Sequence, residues 1–186
     1  MNKRDHVVNA VLLSAGTAVL LGGVPSAAAG RSTLSAAALP ALVLAVGTEA
    51  VRFGVPVTLG ALFPDVDTAF GRHRKTFHNA FVLATFLAFP LAFDNLRYVW
   101  IGVLTHLVLD FLGSARGVAL FYPLSSDEFS FPGGVATSSR WATPVTVGVT
   151  ALELAALAAV HYYVVPLDAG ASAAARAIGS LAGVRY

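Results

Sequence analysis

The sequence predicts an all-α protein, a polytopic transmembrane helical bundle of about five spans, and three observations support this prediction. Hydrophobic residues make up 56% of the 186 residues, the mean hydropathy is +0.73, and only 12% of the residues are charged. A soluble domain usually carries about 25% charged residues. Long apolar stretches approach the ~20 residues that a helix needs to cross a bilayer. The alternative is a soluble all-helical protein rich in alanine and valine, which would not need five nearly uncharged segments.

Five apolar stretches predict the individual spans. They lie at about 7–24, 34–63, 77–93, 98–113 and 145–165. The first imitates a signal peptide, with small residues at 27–29 where cleavage could occur. We expect it to be retained as a span, because His6 at its start fits the site described below. The second is too long for one straight span, and Gly54 and Pro56 make a break there plausible.

The organisation expected from these stretches is a single helical membrane domain over 1–186. The site-bearing part covers about 6–123, the fifth span 145–165, and a tail 168–186 resembles a surface helix or a frayed end. Lys and Arg accumulate in cytoplasmic loops. With the N-terminus inside, the cytoplasmic side holds seven basic residues: Lys3, Arg4, Arg72, Arg74, Lys75, Arg116 and Arg140. The other side holds four: Arg31, Arg97, Arg176 and Arg185. We therefore predict a multi-pass protein of the cell membrane with a cytoplasmic N-terminus.

The charge and the cysteine content narrow the classes of function. The net charge is +2 and the pI is near 9.2, and the basic residues lie in loops instead of a stripe. Nucleic acid is therefore not an expected partner, whereas the lipid bilayer is. The absence of cysteine excludes disulfides and thiolate metal sites. The oligomeric state is left open.

Histidines and aspartates of this apolar chain are concentrated in three short motifs. The motifs are Pro64-Asp65-Val66-Asp67, His73-Arg74-Lys75-Thr76-Phe77-His78 and His106-Leu107-Val108-Leu109-Asp110. Imidazole and carboxylate groups are costly to bury without partners, so their concentration at the ends of spans indicates one polar site. His and Asp are also ligands of divalent metals. The predicted topology places all three motifs and His6 on the cytoplasmic side.

Each motif has a functional and a structural interpretation. In an extended turn, Asp65 and Asp67 would both face one metal or two adjacent metals, but an isolated pair of this kind can also be a polar helix end. His73 could be a solvated loop residue. His106 and Asp110 are four residues apart and share one helix face, as metal chelation requires. The same spacing suits a His–Asp hydrogen bond that only joins helices.

In these motifs the chain resembles the YdjM-like family of membrane-bound metal-dependent hydrolases. The resemblance rests on His6, the Leu62–Asp67 segment, His73-Arg74 with His78, His106 with Asp110, and the 117–123 segment. Departures from the family pattern occur at Thr68, Lys75, Phe77 and Asn79. The family is distantly similar to zinc-dependent phospholipases C and related single-strand nucleases. That similarity implies phosphoester hydrolysis, with lipid among the candidate substrates.

The sequence therefore predicts a membrane-embedded metal-dependent hydrolase that acts on a phosphoester or ester of a small molecule or lipid. The expected metal ligands are His6, Asp65, His78, His106 and Asp110. Asp67, His73 and Arg74 are the expected catalytic residues, with Arg74 placed to hold an anion. Zinc is the expected ion, and manganese or magnesium would also suit the oxygen ligands. The alternatives are a membrane protein that binds metal only for stability, and an ion or metal transporter.

Overall fold

The computed structural model describes residues 1–22, 39–88 and 98–164, and in these ranges all regular elements are helical. The five main helices are α1 (Lys3–Gly22), α2 (Leu39–Leu62), α3 (Ala80–Ala88), α4 (Val99–Gly113) and α5 (Ala142–Tyr163). The all-α class is thus confirmed for the described ranges. By length and composition, α5 is the described helix that could cross a membrane, and α4 is a shorter apolar helix. The five-span topology stays a prediction, and the predicted tail at 168–186 lies outside the described residues.

Helix α1 begins at Lys3 because Asn2, just before its start, and Asp5, in its first turn, cap each other. The Asp5 N–H donates to Asn2 Oδ1 at 3.0 Å, and the Asn2 N–H donates to Asp5 Oδ2 at 3.1 Å. This capping box satisfies two of the N–H groups that a helix start leaves without partners. It also fixes His6 in the first turn of α1.

Helix α1 buries several polar side chains beside the apolar Ala10 and Leu13, and it exposes large apolar side chains. His6, Asn9 and Thr17 are buried, whereas Val11 and Val19 are 53% and 50% exposed. Helix α2 likewise exposes large apolar residues, including Val43, Leu44 and Val51. A soluble bundle shows the opposite pattern, so this exterior suits contact with lipid.

Helix α2 passes through Pro56 without the break that the sequence made plausible, and it is one helix from Leu39 to Leu62. Proline removes a backbone donor, but helices of membrane bundles tolerate it where neighbouring groups compensate. After Phe63 the chain makes a 3-10 turn, Pro64–Val66, and a short helix, Asp67–Phe70. These two turns carry the Asp65 and Asp67 motif away from the end of α2.

Helix α3 begins three residues later than the predicted third span, because Asn79 caps it. The N–H of Val82 donates to Asn79 Oδ1 at 3.0 Å, while Asn79 Nδ2 donates to the carbonyls of Lys75 and Thr76. The side chain of Asn79 thus joins the helix start to the preceding loop. The part of the predicted span beyond Ala88 lies outside the described residues.

Two glycines allow α2 and α4 to cross at backbone contact. A Cβ atom at Gly60 would overlap the carbonyl oxygen of Val99, and one at Gly102 would overlap the carbonyl oxygen of Val57. Small residues at such crossings let membrane helices approach closely. The crossing brings the second half of α4 against the end of α2, where the motifs lie.

We expect Gly102→Ala to destabilise the protein strongly, because the added methyl group meets backbone atoms that cannot rotate away. Overpacking of this kind costs about 1–3 kcal/mol, and a backbone obstacle favours the upper end. Gly148→Ala is the matched control, since nothing lies within 4 Å of a Cβ atom added there. Thermal unfolding in detergent should show a lower midpoint for Gly102→Ala alone. Equal midpoints would contradict the close crossing.

The segment between α4 and α5 folds over the end of the bundle that carries the motifs. Val118 and Phe129 exchange two backbone hydrogen bonds of 2.9 Å, and Ala115 donates to the carbonyl of Val135 at 3.0 Å. Val118 is fully buried in an apolar cluster with Val103 and other residues of α3 and α4. The N–H of Ala119 donates to the carbonyl of Arg74 at 3.2 Å. The segment thereby holds the His73–His78 loop in place.

Candidate metal centre

The residues predicted as metal ligands converge at one end of the bundle. Four parts of the chain meet there: the first turn of α1, the turns after α2, the loop before α3, and the second half of α4. The five predicted ligands are all buried there: His6, Asp65, His78, His106 and Asp110. Two sets of ligand atoms each lie within 4.8 Å of one another, namely His6, His106, Asp110 and Asp65, His73, His78. The buried His and Asp groups of this end could therefore hold a metal ion.

Hydrogen bonds at Nδ1 turn the rings of His78 and His106 toward a common point. The Nδ1 atom of His106 contacts the carbonyl of Ala61 at 2.6 Å, and Nδ1 of His78 contacts Asp67 Oδ2 at 3.0 Å. Both partners can only accept, so both Nδ1 atoms carry hydrogen. In the neutral rings each Nε2 atom then presents a lone pair, which is the arrangement of metal-binding histidines.

Four acceptor atoms face one another at this point. The Nε2 atoms of His78 and His106 are 3.0 Å apart. Asp110 Oδ2 lies 3.7 Å from both, and Asp65 Oδ1 lies 3.7 Å from His78 Nε2 and 3.9 Å from His106 Nε2. Lone pairs at such distances repel unless a positive charge lies among them. A shared proton would serve one pair of atoms, whereas a metal ion would serve all four.

The spacing of these atoms is compatible with a divalent metal ion. Metal–ligand bonds of ~2.0–2.2 Å imply donor atoms about 3.3–3.6 Å apart in a tetrahedron. The distance between the two imidazole nitrogen atoms and their four distances to the Asp65 and Asp110 oxygen atoms range from 3.0 to 3.9 Å. The donor set of two imidazoles and two carboxylates also suits manganese.

His6 supplies a further buried group without a hydrogen-bond partner. Its ring stacks on His106 with centroids 3.6 Å apart, and within residues 1–22, 39–88 and 98–164 neither of its nitrogen atoms has a hydrogen-bond partner. Its Nε2 atom lies 3.4 Å from Asp110 Oδ1. Burying a polar ring atom without a partner is costly. His6 therefore belongs to the buried group with His106 and Asp110 that could hold a metal ion.

Asp110 uses its two oxygen atoms in different directions. Oδ2 faces His78 and His106, whereas Oδ1 contacts the Met1 amine and, at 3.2 Å, the Arg74 Nη2 atom. Arg74 is buried, has a positive φ of 66°, and donates through Nη1 to the carbonyl of Arg116 at 2.6 Å. The anion-binding role predicted for Arg74 stays a prediction. In the described contacts its guanidinium orients Asp110.

Asp67 occupies a different position from the one that the sequence suggested. An extended turn would point Asp65 and Asp67 the same way, but the structure has a 3-10 turn followed by a helical turn. Asp67 is completely buried and contacts Nδ1 of His73 at 2.9 Å and Nδ1 of His78 at 3.0 Å. Its carboxylate thus contacts the Nδ1 atoms of both imidazole rings, whereas Asp65 faces the Nε2 atom of His78. The predicted shared orientation of the pair is wrong, because the backbone turns by helical steps.

Asp65 lies in the turn after α2, and its surroundings favour the ionised form. Burial acts to raise the pKa of the Asp65 carboxyl group. The contact with His78, and the positive charge that His106 and His6 contribute when their rings are protonated, outweigh burial and bring this pKa below its usual value. An ionised carboxylate is the form that binds a metal.

The fold and the cluster together define a helical protein with an apolar exterior and a buried His–Asp centre at one end. The family model described as YdjM inner membrane protein matches residues 1–179, so the chain belongs to this family of membrane proteins. The resemblance seen in the motifs is thereby confirmed. No match was found among curated proteins or among solved structures.

Two buried polar side chains next to the predicted metal ligands were not predicted from the sequence. Asn9 and Thr105 are buried and contact each other at 2.6 Å, one turn from His6 and next to His106. Nothing in the sequence distinguished Thr105 as a site residue, because threonine is common in membrane helices. Asn9 could have been found, since it follows His6 by three residues and therefore lies on the same face of α1.

Proposed function

We propose that this protein is a membrane-embedded metal-dependent hydrolase that acts on a phosphoester or ester bond. The observation that carries the proposal is the convergence of His78 Nε2, His106 Nε2, Asp65 and Asp110 on one point, with no donor among these four atoms. Five buried His and Asp groups are costly to maintain for packing alone. Their donor set is that of hydrolytic metal centres.

The ligands of the proposed centre are His6, Asp65, His78, His106 and Asp110, and zinc is the proposed ion. A divalent ion held there would lower the pKa of a bound water to ~7 and polarise the scissile bond. A second ion would be held by the other set of ligand atoms, Asp65, His73 and His78. With a single ion, His73 remains available for proton transfer.

His73 is the proposed proton acceptor of the site. Its Nδ1 atom is bonded to the buried Asp67 at 2.9 Å, and its side chain is 34% exposed, whereas His78 and His106 are fully buried. An imidazole oriented by a carboxylate and open to solvent can accept a proton from water and release it. Asp67 is thus a positioning residue for His73 and His78.

The proposed substrate class is a phosphoester or ester with a headgroup at the membrane surface, and a phospholipid is one candidate. Exposed apolar side chains of the segment over the site support this proposal: Phe121, Leu124, Phe131 and Trp141 are 52%, 81%, 51% and 56% exposed. Tryptophan favours the interface between lipid and water, and the Phe and Leu side chains beside it would contact lipid. Arg74 would contact an anionic substrate only after releasing Asp110 or Arg116.

A membrane protein that binds the ion only for stability is the second candidate. The same cluster supports it, because the site joins α1, α2 and α4 at one end of the bundle. The two candidates differ in activity, because only the hydrolase would turn over a substrate. They share the expectation of bound metal, so metal content alone does not separate them.

The test is elemental analysis of detergent-purified protein, followed by assays with phosphodiester and ester substrates. We expect at least one equivalent of zinc or manganese per chain and hydrolysis that chelators abolish and metal restores. Stoichiometric metal without turnover would favour the stabilising role. Protein that contains no metal after expression in zinc-supplemented medium would contradict both candidates.

Orientation in the membrane can be tested with single cysteines, because the chain has none. Ser126 is exposed on the segment over the site, and Tyr163 is 87% exposed at the opposite end of α5. With a cytoplasmic site, an impermeant thiol reagent should label Tyr163→Cys in intact cells and Ser126→Cys only after lysis. Labelling of both variants in intact cells would show that α5 does not cross the membrane.

A further inference from the structure

Three side chains from three helices form a closed ring of short contacts inside the bundle. Thr105 Oγ1 lies 2.6 Å from Asn9 Oδ1 and 2.6 Å from Glu153 Oε1, and Asn9 Nδ2 lies 2.8 Å from Glu153 Oε2. Asn9 and Thr105 are fully buried, and Glu153 on α5 is half-buried with its carboxyl group turned toward them. All three distances are those of hydrogen bonds.

Each of the three contacts needs one hydrogen atom, and Asn9 and Thr105 supply only two. The amide of Asn9 donates one hydrogen to Glu153, and its second goes to Thr150 Oγ1 at 2.9 Å. The hydroxyl group of Thr105 has a single hydrogen, which can bridge to Asn9 or to Glu153 but not to both. If Glu153 were ionised, two oxygen atoms would therefore meet at 2.6 Å without a hydrogen between them.

Reversing the amide of Asn9 does not remove this deficit. Amide orientation is assigned from the hydrogen-bond network, so the alternative has to be considered. With oxygen and nitrogen exchanged, Asn9 would donate to Thr105, and Thr105 would donate to Glu153. The amide oxygen would then lie 2.8 Å from Glu153 Oε2, again without a hydrogen. In both orientations the third hydrogen has to come from the carboxyl group.

We propose that Glu153 is a proton-binding site, held as a neutral carboxylic acid by Asn9 and Thr105. The proton supplies the third hydrogen bond, so the ring that links α1, α4 and α5 is closed only while the proton is bound. The apolar exterior of α5 supports the neutral form, because an ionised carboxylate is costly within a bilayer. The proposal does not depend on the hydrolase activity or on bound metal.

The ionisable groups of the neighbouring helices belong to the metal centre and to the start of α1. The helices packed against α5 are α1 and α4. Their titratable side chains are Lys3, Arg4, Asp5 and His6 on α1, and His106 and Asp110 on α4. His6 precedes Asn9 by three residues and His106 follows Thr105 directly. The proton site therefore lies about one helical turn further into the bundle than the metal centre.

Infrared spectroscopy of the full-length protein in lipid nanodiscs at neutral pH tests the proposal. A protonated carboxyl group has a carbonyl stretch that ionised carboxylates lack. The glutamates of the chain are Glu49, Glu128 and Glu153. We expect a band in the wild-type protein that shifts when glutamate is labelled with carbon-13. Glu153→Gln should remove this band, and Glu128→Gln and Glu49→Gln should leave it unchanged.

Glu128→Gln is the matched control, because Glu128 is exposed and paired with Lys75 at 3.3 Å. The Gln side chain has an NH2 group that donates and an oxygen atom that accepts, as a carboxylic acid has an O–H donor and a carbonyl acceptor. Glu153→Gln should therefore unfold at the wild-type temperature. Should this variant not fold, labelled protein carrying both Glu49→Gln and Glu128→Gln still assigns the band to Glu153.

A second pair of variants examines the ring itself. Thr105→Ser keeps the hydroxyl group and should keep the position of the carbonyl band. Thr105→Val removes two of the three contacts, so the band should move to the position of a less hydrogen-bonded acid. The absence of any glutamate-dependent band in the wild-type protein, or its persistence in Glu153→Gln, would overturn the proposal.

Discussion

Replacing His106 by Gln or Asp110 by Asn should remove most of the bound metal. Each change keeps the size of the side chain but deletes a donor atom that faces the other ligands at 3.0–3.9 Å. Loss of a residue that hydrogen-bonds a metal ligand lowers metal affinity roughly 10–100-fold, and loss of the ligand itself should lower it further. Metal content per chain, measured after dialysis against a weak chelator, provides the readout.

The same two variants separate a metal centre from a purely structural His–Asp contact. Gln and Asn can still form hydrogen bonds, so a contact that only joins helices would lose about 1 kcal/mol of stability. Asp127→Asn is the control, because Asp127 is exposed and bonded only locally to Ser125. Full metal content in both the His106 and the Asp110 variant would remove the pair from the site and with it the main support for a hydrolase.

Asp67→Asn should lower metal affinity by roughly 10–100-fold although Asp67 does not face the proposed ion. The carboxylate accepts from Nδ1 of both His73 and His78. An amide has only one accepting atom, so at least one imidazole would face an NH2 group and lose its tautomer and orientation. Zinc titration with a competing chromophoric chelator measures the change.

A double comparison identifies which imidazole carries this effect. His73→Gln should leave zinc affinity nearly unchanged if His73 acts only as a proton acceptor, and it should reduce turnover. If His73→Gln weakens zinc binding as much as Asp67→Asn does, His73 is itself a ligand. Unchanged zinc affinity in Asp67→Asn would show that the carboxylate does not orient His78.

The sequence predicted the helical class and singled out the His and Asp residues that the structure brings together, because both depend on local patterns. Apolar stretches indicated the helices, and the spacing of His106 and Asp110 placed both side chains on one face of α4. The convergence of the motifs was predicted from the spans between them, which place all three motifs on the same side of a membrane. His6 is the clearest case, because it was singled out at the start of the first predicted span and the structure stacks its ring on His106.

Other features depend on tertiary contacts and could not be predicted. The orientation of Asp67 follows from a helical turn after Pro64, which the two-residue spacing does not reveal. The partners of Arg74 lie 36 and 42 residues away along the chain. The partners of Glu153 on α1 and α4 lie 144 and 48 residues away along the chain.

The inward-facing polar side of α1 has a consequence for the biogenesis of the protein. Asn9 is 96 residues from Thr105 and 144 residues from Glu153. When α1 leaves the ribosome, the helices that supply partners for its polar side chains have not been synthesised. The nascent chain therefore passes through a stage in which His6 and Asn9 lack these partners. Truncated chains that end before α5 should remain in that stage, and membrane proteases should remove them faster than the full-length protein.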